Sequence, residues 1–268
     1  MTTYGVLTDI HGNREALVAA LSELDRRGVA QIVSMGDLVG YNADSDAVVE
    51  LLQEREARCI AGNHDLIAIG HLETDRCWYG AAHALNTTRR TLKPRTRAFL
   101  ASLPPWLVLE DHVVLLHGDL DDPQQYMRTA KDIACSAERV RARFESVQLV
   151  LYGHTHERRV FRVSGGVARR DAESPVIDTA PGQDDVVYVN PGSIDAQRKP
   201  LGKRTAEFAI LDTAMRTLEL VDVAYDDDMT ERKAKSGGFR VGPADKLAHQ
   251  SKRFLGKVRR VIDKVRPG

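Results

Sequence analysis

Three stretches near the amino terminus decide the fold: YGVLTD at 4–9, AQIVSMGD at 30–37 and RCIAGNHD at 58–65. Each is a short run of apolar and β-branched residues that stops in polar ones, which is how a strand running into a loop reads. Between the first two, REALVAALSELDRRG carries Leu17, Ala20, Leu21 and Leu24 at helical spacing and closes on Gly28. Between the second and third, DSDAVVELLQEREA is helical from an acidic start. Strands and helices alternating at this length predict an α/β fold with a parallel sheet covered by helices. Ligands of such sheets gather at the carboxyl ends of the strands, so the polar residues there are the first candidates for function.

Further along, 71–102 is basic and helical until Pro104-Pro105. WLVLE at 106–110 and HVVLLHGD at 112–119, joined through Glu110-Asp111, suggest a hairpin. A second unit follows, with CSAERVRARFES (135–146) as helix and VQLVLYGHTH (147–156) as strand and loop. RRVFRV, DVVYVN, RTAEFAILD and TLELVDVAY then read as strands, so the second half is β-rich.

The 268 residues are 43% apolar and 28% charged, the composition of a globular chain. The start lacks a basic n-region before an apolar stretch, and no run approaches the ~18 apolar residues of a membrane span. Cys59, Cys77 and Cys135 show no C-x-x-C spacing, which argues against a disulfide framework or a thiolate zinc site, so a cytoplasmic location is expected. Lys+Arg and Asp+Glu each total 38, but the charge is uneven: residues 229–268 hold twelve basic against three acidic side chains. A domain over 1–228, a linker over 229–243 and a basic amphipathic helix over 244–268 are therefore expected. In that helix Leu247, Phe254, Val258, Val261 and Val265 form the apolar stripe. The bland reading docks it on the chain's own body or on a twin subunit in a homo-oligomer. The sharper one sets its charges on a nucleic-acid backbone.

Most strand-like runs end in a residue that can ligate metal: Asp9 and His11, Asp37, Asn63, His117, and His154 and His156. In extended chain, i and i+2 face one way, so Asp9 with His11, and His154 with His156, would each aim two side chains at one site. Singly, D-x-H before a helix is an ordinary cap and GD or HGD an ordinary turn. GNHD and GHTH directly after strands are poor packing and good presentation of polar groups. A set of carboxylate, imidazole and amide ligands without thiolate suits manganese, iron, zinc or nickel, with magnesium as a further alternative and manganese the first expectation. Seven side chains exceed the needs of one ion, whereas two divalent ions ~3.5–4 Å apart, with Asp37 between them, would use all seven.

These motifs, D-x-H, GD, GNHD, H and GHTH in that order, resemble the calcineurin-like metallophosphoesterases over about residues 3–223. GDLVGY, the H-G-x-x-x-D-P-x-x-Y stretch from His117 to Tyr126, and NPGS followed by Arg198 are similar to the bacterial diadenosine-tetraphosphatase-like phosphoesterases. The resemblance implies a four-layer αββα sandwich of two mixed sheets flanked by helices. It implies Asp9, His11, Asp37 and His156 on one metal, and Asp37, Asn63, His117 and His154 on the other. Asp119 stands where the family has a small residue.

The expected activity is hydrolysis of phosphodiesters or phosphomonoesters of nucleotide type, by in-line attack of a metal-bridging hydroxide. His64, beside Asn63 and before Asp65, is the candidate general acid, with Asp65 orienting its ring. Asn13, Arg14 and Arg198 are candidates for phosphate contact, although capping and surface ion pairing explain them equally well. The alternatives are a manganese-dependent nuclease that uses the basic tail, and a non-catalytic scaffold on the same fold, against which the intact ligand set argues. The partners expected are thus a phosphoester, as nucleotide or nucleic acid.

Overall fold

The computed structural model describes residues 2–242, apart from 30, 173, 181, 183, 184, 196–198, 202 and 203. The basic helix expected over 244–268 lies outside the described residues, as does Arg198. The elements run β1 (Thr3–Leu7), α1 (Arg14–Arg26), β2 (Gln31–Ser34), α2 (Ser45–Glu54), β3 (Arg58–Cys59), α3 (Asn63–Ile69), α4 (Tyr79–Thr91), α5 (Pro94–Ser102), β4 (Leu107–Leu109) and β5 (Val113–Leu116). Then come α6 (Ala130–Arg143), β6 (Leu149–Tyr152), β7 (Arg159–Ser164), β8 (Val167–Arg170), β9 (Val176–Asp178), β10 (Val186–Asn190), β11 (Thr205–Asp212), β12 (Thr217–Ala224) and α7 (Asp227–Ser236).

The strands form two mixed sheets, ordered β3-β2-β1-β11-β12-β9 and β4-β5-β6-β10-β7-β8. In the first, β1, β2 and β3 are parallel, with Val6 beside Val33, and β11 runs antiparallel to β1. In the second, β5, β6 and β10 are parallel, with Leu115 beside Leu151. Alternation along each strand generates the layers. Val6 and Val33 face Leu115, Leu151 and Val187 between the sheets, while Leu7 and Ile32 face Leu17, Leu21 and Leu24 of α1. On the far side Val114, Leu116, Val150 and Tyr152 pack against Ile133, Ala137 and Val140 of α6. Strands buried on both faces need apolar residues at every position, which is why VVLL and LVLY do not alternate. The result is the four-layer αββα sandwich.

Two segments differ from their expected form. The helical stretch 71–102 is broken in two, because Lys93 precedes Pro94 and takes an extended conformation there (φ −67°, ψ 150°); residues 71–78 lie outside both helices. The expected linker from 229 is helical as far as Ser236. Asp226 caps α7 at the Met229 amide, acidic Asp227 and Asp228 fill its first turn, and Lys233 and Lys235 fill its last. Polar groups seat α7: Lys233 Nζ lies 2.6 Å from Glu15 and 2.8 Å from Asp44, and the Thr230 hydroxyl 3.0 Å from Asn13 Oδ1. A helix held by charge leaves little apolar periodicity to read.

Candidate metal centre and cleft

All the expected ligands lie just beyond the carboxyl ends of parallel strands: Asp9 and His11 after β1, Asp37 after β2, Asn63 after β3, His117 after β5, His154 and His156 after β6. The two sheets thus feed one site from two sides. Local backbone, and not extended alternation, aims the side chains. Asp9, His11, Asp37, His154 and His156 all have positive φ, between 52° and 63°. Such left-handed residues cost about 1 kcal/mol or more each and persist only where the surroundings hold them. Here the loops brace one another: Asp9 N–H donates to Gly36 O, His11 N–H to Asp37 O, and Gly12 N–H to Leu38 O. Gly36 is required at that junction, since its φ is +86° and a Cβ would stand 2.4 Å from the Gly62 nitrogen.

The side chains converge in overlapping groups. Asp9, His11 and His156 bring ligand atoms within 4.8 Å of one another, as do His11, Asp37 and His64, and Asp37, His117 and His154. His11 Nε2 lies 3.0 Å from His156 Nε2, and His117 Nε2 lies 3.0 Å from Asn63 Oδ1. Asp37 joins the groups, with Oδ2 3.6 Å from His11 Nε2 and Oδ1 3.3 Å from His117 Nε2. Backbone carbonyls fix the rings: Nδ1 of His11 faces Val39 O, Nδ1 of His117 faces Met35 O, and Nε2 of His154 faces Gln124 O. In the neutral tautomer that donates to those carbonyls, the other nitrogen of each ring would present a lone pair to a cation in the cluster.

The donor set fits divalent cations. Asp9 and Asp37 are fully buried, and among the described residues their ion-pair partners are all histidines. Asp9 Oδ1 is buried with no hydrogen-bond partner, a costly state for a carboxylate unless a cation meets it. Burial opposes ionisation of both carboxyls, but the surrounding imidazoles outweigh it and hold them well below the usual range. Burial pushes His154 down to about 3 and His64 to about 4, and His11 well below the ordinary value. His117 goes the other way, up to about 9, because the adjacent Asp37 outweighs burial. The pocket thus draws positive charge to the Asp37–His117 contact, which is where a bound cation would supply it.

The other expected residues behave differently. His64 lines the cleft beside these groups, with its Nδ1 buried and unpartnered. Asp65 does not reach that ring. Its two oxygens accept the Val39 and Gly62 N–H groups, so it pins the loops instead. Asn13 is fully buried, caps α1 at the Ala16 amide and donates to Asp195 Oδ1, which takes it away from a substrate phosphate. Arg14 is exposed on the first turn of α1. Asp119 ties its loop to α6 through Ser136 and Arg139.

Sequence reasoning singled out neither Arg76, Trp78 nor Gln124, which together with Tyr41 and Tyr126 line a cleft of about 330 Å³ over the cluster. Tyr41 and Tyr126 stand in GDLVGY and the His117–Tyr126 stretch, motifs that the sequence itself carries. Arg76 and Trp78 sit in a segment read as helix. Tyr41 packs 4.3 Å from the His11 ring and 4.7 Å from the His64 ring, and Tyr126 stacks on His154 at 4.1 Å.

Comparison with known proteins agrees with this geometry. An uncharacterized protein of Methanocaldococcus jannaschii is 29% identical over 226 residues, which cover 82% of this chain and 87% of that one. The crystal structure of a metallophosphoesterase from Sphaerobacter thermophilus superposes with a TM-score of 0.72 at 26% identity, covering 88% of this chain and 94% of the other. A hypothetical protein from Pyrococcus horikoshii shares the fold, with a TM-score of 0.70 at 19% identity, covering 92% and 97%. A sequence profile described as the calcineurin-like phosphoesterase superfamily domain matches residues 3–216, the span that holds every ligand candidate from Asp9 to His156, and the chain belongs to that superfamily.

Proposed function

We propose that the protein hydrolyses phosphodiester or phosphomonoester bonds of nucleotide-type substrates with two divalent cations, manganese first among them. The observation that carries this reading is Asp37, a buried carboxylate with one oxygen toward each imidazole group. Asp9, His11 and His156 would hold one ion, Asn63, His117 and His154 the other, and Asp37 both. When bound, such ions supply Lewis acidity, lowering the pKa of water toward neutrality and offsetting phosphate charge. The chain does the rest. Carbonyls of Val39, Met35 and Gln124 keep the imidazoles turned to the cluster. His64, in the cleft wall and within ligand distance of His11 and Asp37, is placed to give a hydrogen bond to the departing oxygen, and a proton where the charge of a bound phosphate raises its lowered pKa.

Metal-stripped protein should be inert toward bis(p-nitrophenyl) phosphate and p-nitrophenyl phosphate and should recover turnover when Mn²⁺, Ni²⁺, Zn²⁺ or Mg²⁺ is restored. Asp37→Ala should lose at least ~100-fold under every metal. Undiminished turnover in that variant would overturn the reading.

A further inference from the structure

We infer that the cleft contains a nucleobase subsite, with the Trp78 indole as stacking face and the Gln124 side-chain amide reading the edge, so that the favoured ester bears a nucleoside. The inference rests on the phosphoester reading of the same cleft.

Trp78 precedes α4, and its ring lies across Gly80, where a Cβ would stand 2.1 Å from Cη2. The ring is thereby seated, yet the residue stays 63% exposed in a cleft it shares with Asn63, His64 and His154. The chain's other tryptophan, Trp106, is packed edge-on against Phe144 at 5.0 Å. An indole left open beside buried polar groups marks a binding surface. The neighbouring rings are already engaged. Tyr126 has His154 stacked at 4.1 Å and the Arg128 guanidinium 4.3 Å from its centroid, and Tyr41 packs on His11 and His64.

Arg76 fixes the geometry of the wall. Its guanidinium lies 2.8 Å from Asp122 Oδ2 and 3.1 Å from the Gln124 carbonyl, and so ties the segment before Trp78 to the loop after His117. Gln124 Oε1 is 3.4 Å from Arg76 Nη1, and its Nε2 makes no hydrogen bond among the described residues, although the residue is only 9% exposed. A flat ligand with acceptors on its rim satisfies both features at once. A nucleobase is such a ligand, whereas an alkyl chain would leave the amide donor unpaired and a sugar has no comparable flat face. A volume of about 330 Å³ lies at the small end of ligand pockets, which fits one nucleotide and not a duplex.

The test compares thymidine 5′-(p-nitrophenyl phosphate) with methyl p-nitrophenyl phosphate, which share a leaving group, on metal-loaded full-length wild type, Trp78→Ala and Trp78→Phe. Alongside, Trp106→Phe leaves Trp78 as the sole tryptophan, excited selectively over the tyrosines, for titration with AMP and with ribose 5-phosphate. The expected results are a kcat/KM ratio favouring the nucleoside ester, a roughly five- to hundredfold fall of that ratio in Trp78→Ala carried by KM, and recovery of most of it in Trp78→Phe. AMP should quench Trp78 saturably and ribose 5-phosphate should not. A ratio unmoved by Trp78→Ala, or equal quenching by both ligands, overturns the subsite and leaves phosphoester hydrolysis standing. Quenching by AMP with neither diester cleaved supports the subsite and overturns the phosphodiesterase half of the hydrolytic reading.

Discussion

Asp37 sits where a displaced side chain would be felt twice. Its Oδ1 is 3.3 Å from His117 and also accepts the His64 N–H at 2.7 Å, while Oδ2 points to His11. The same carboxylate therefore orders both imidazole groups and the start of α3. His64 is packed against the His11 and Tyr41 rings, but its Nδ1 is buried without a hydrogen-bond partner, which leaves its polar role to a ligand. If it protonates the leaving oxygen, His64→Ala should cost ~10²–10⁴ in kcat on an ester with an alkoxide leaving group and much less on a p-nitrophenyl ester. An equal loss on both, read from steady-state kinetics under one metal, would restrict His64 to holding phosphate.

At the scale of elements, the loops after the parallel strands form a braced stack, and Gly36 lies at the point where two of them touch. Gly36→Ala should therefore lower the free energy of unfolding by at least about 2 kcal/mol in urea titrations, from a strained φ and a clash with backbone at Gly62. A neutral result would mean the stack yields more easily than its hydrogen bonds suggest. The strands that carry these loops were legible in the sequence, because double-sided burial writes itself as the unbroken runs VVLL and LVLY. The aim of the ligands was not. Alternation predicts that His154 and His156 point together, but their left-handed φ values send His154 toward His117 and His156 toward His11. Residue types gave the candidate ligands, and backbone strain, invisible in residue types, gave their directions.

Helix α7 was missed for a related reason. It is held by Glu15, Asp44 and Asn13, and the chain after it by Arg240, whose guanidinium reaches Tyr41 O at 2.7 Å, Asn42 Oδ1 at 2.9 Å and Glu231 at 2.9 Å. Burial acts against the Glu231 charge, but the hydrogen bond and charge of Arg240, with Lys235 and Arg204, outweigh it and lower its pKa from 4.5. A folded pKa below the unfolded one contributes stability above about pH 4.5 that fades as pH falls through the folded value. Wild type should thus melt above Glu231→Gln at neutral pH, and the gap should narrow as the pH is lowered below about 4.5 and through the folded value. A gap constant with pH would assign the effect to packing alone.

Across the whole molecule, the cluster is where the two sheets meet. Asp9, His11, Asp37 and Asn63 come from the first sheet and His117, His154 and His156 from the second, with two buried carboxylates lacking any Lys or Arg partner among the described residues. Cations bound there would bind the native state and not the unfolded chain. Chelation should lower the melting temperature of wild type, by the equivalent of ~2.7 kcal/mol per site for metal present at a hundred times its Kd, and should barely move Asp37→Ala. A melting temperature indifferent to chelator in wild type would separate the cluster from stability. The sandwich and its ligand-bearing ends were readable from local pattern and motif order. The cleft wall was not, because Arg76, Trp78 and Gln124 are brought together by a contact between two irregular segments, and such segments carry no period.

The most direct test is the anomalous difference map of a manganese-soaked crystal of the full chain. Two peaks flanking Asp37 are expected, one bounded by Asp9, His11 and His156 and the other by Asn63, His117 and His154. A single peak that leaves Asp37 without metal on one side, or manganese bound only elsewhere on the molecule, would contradict the two-cation centre.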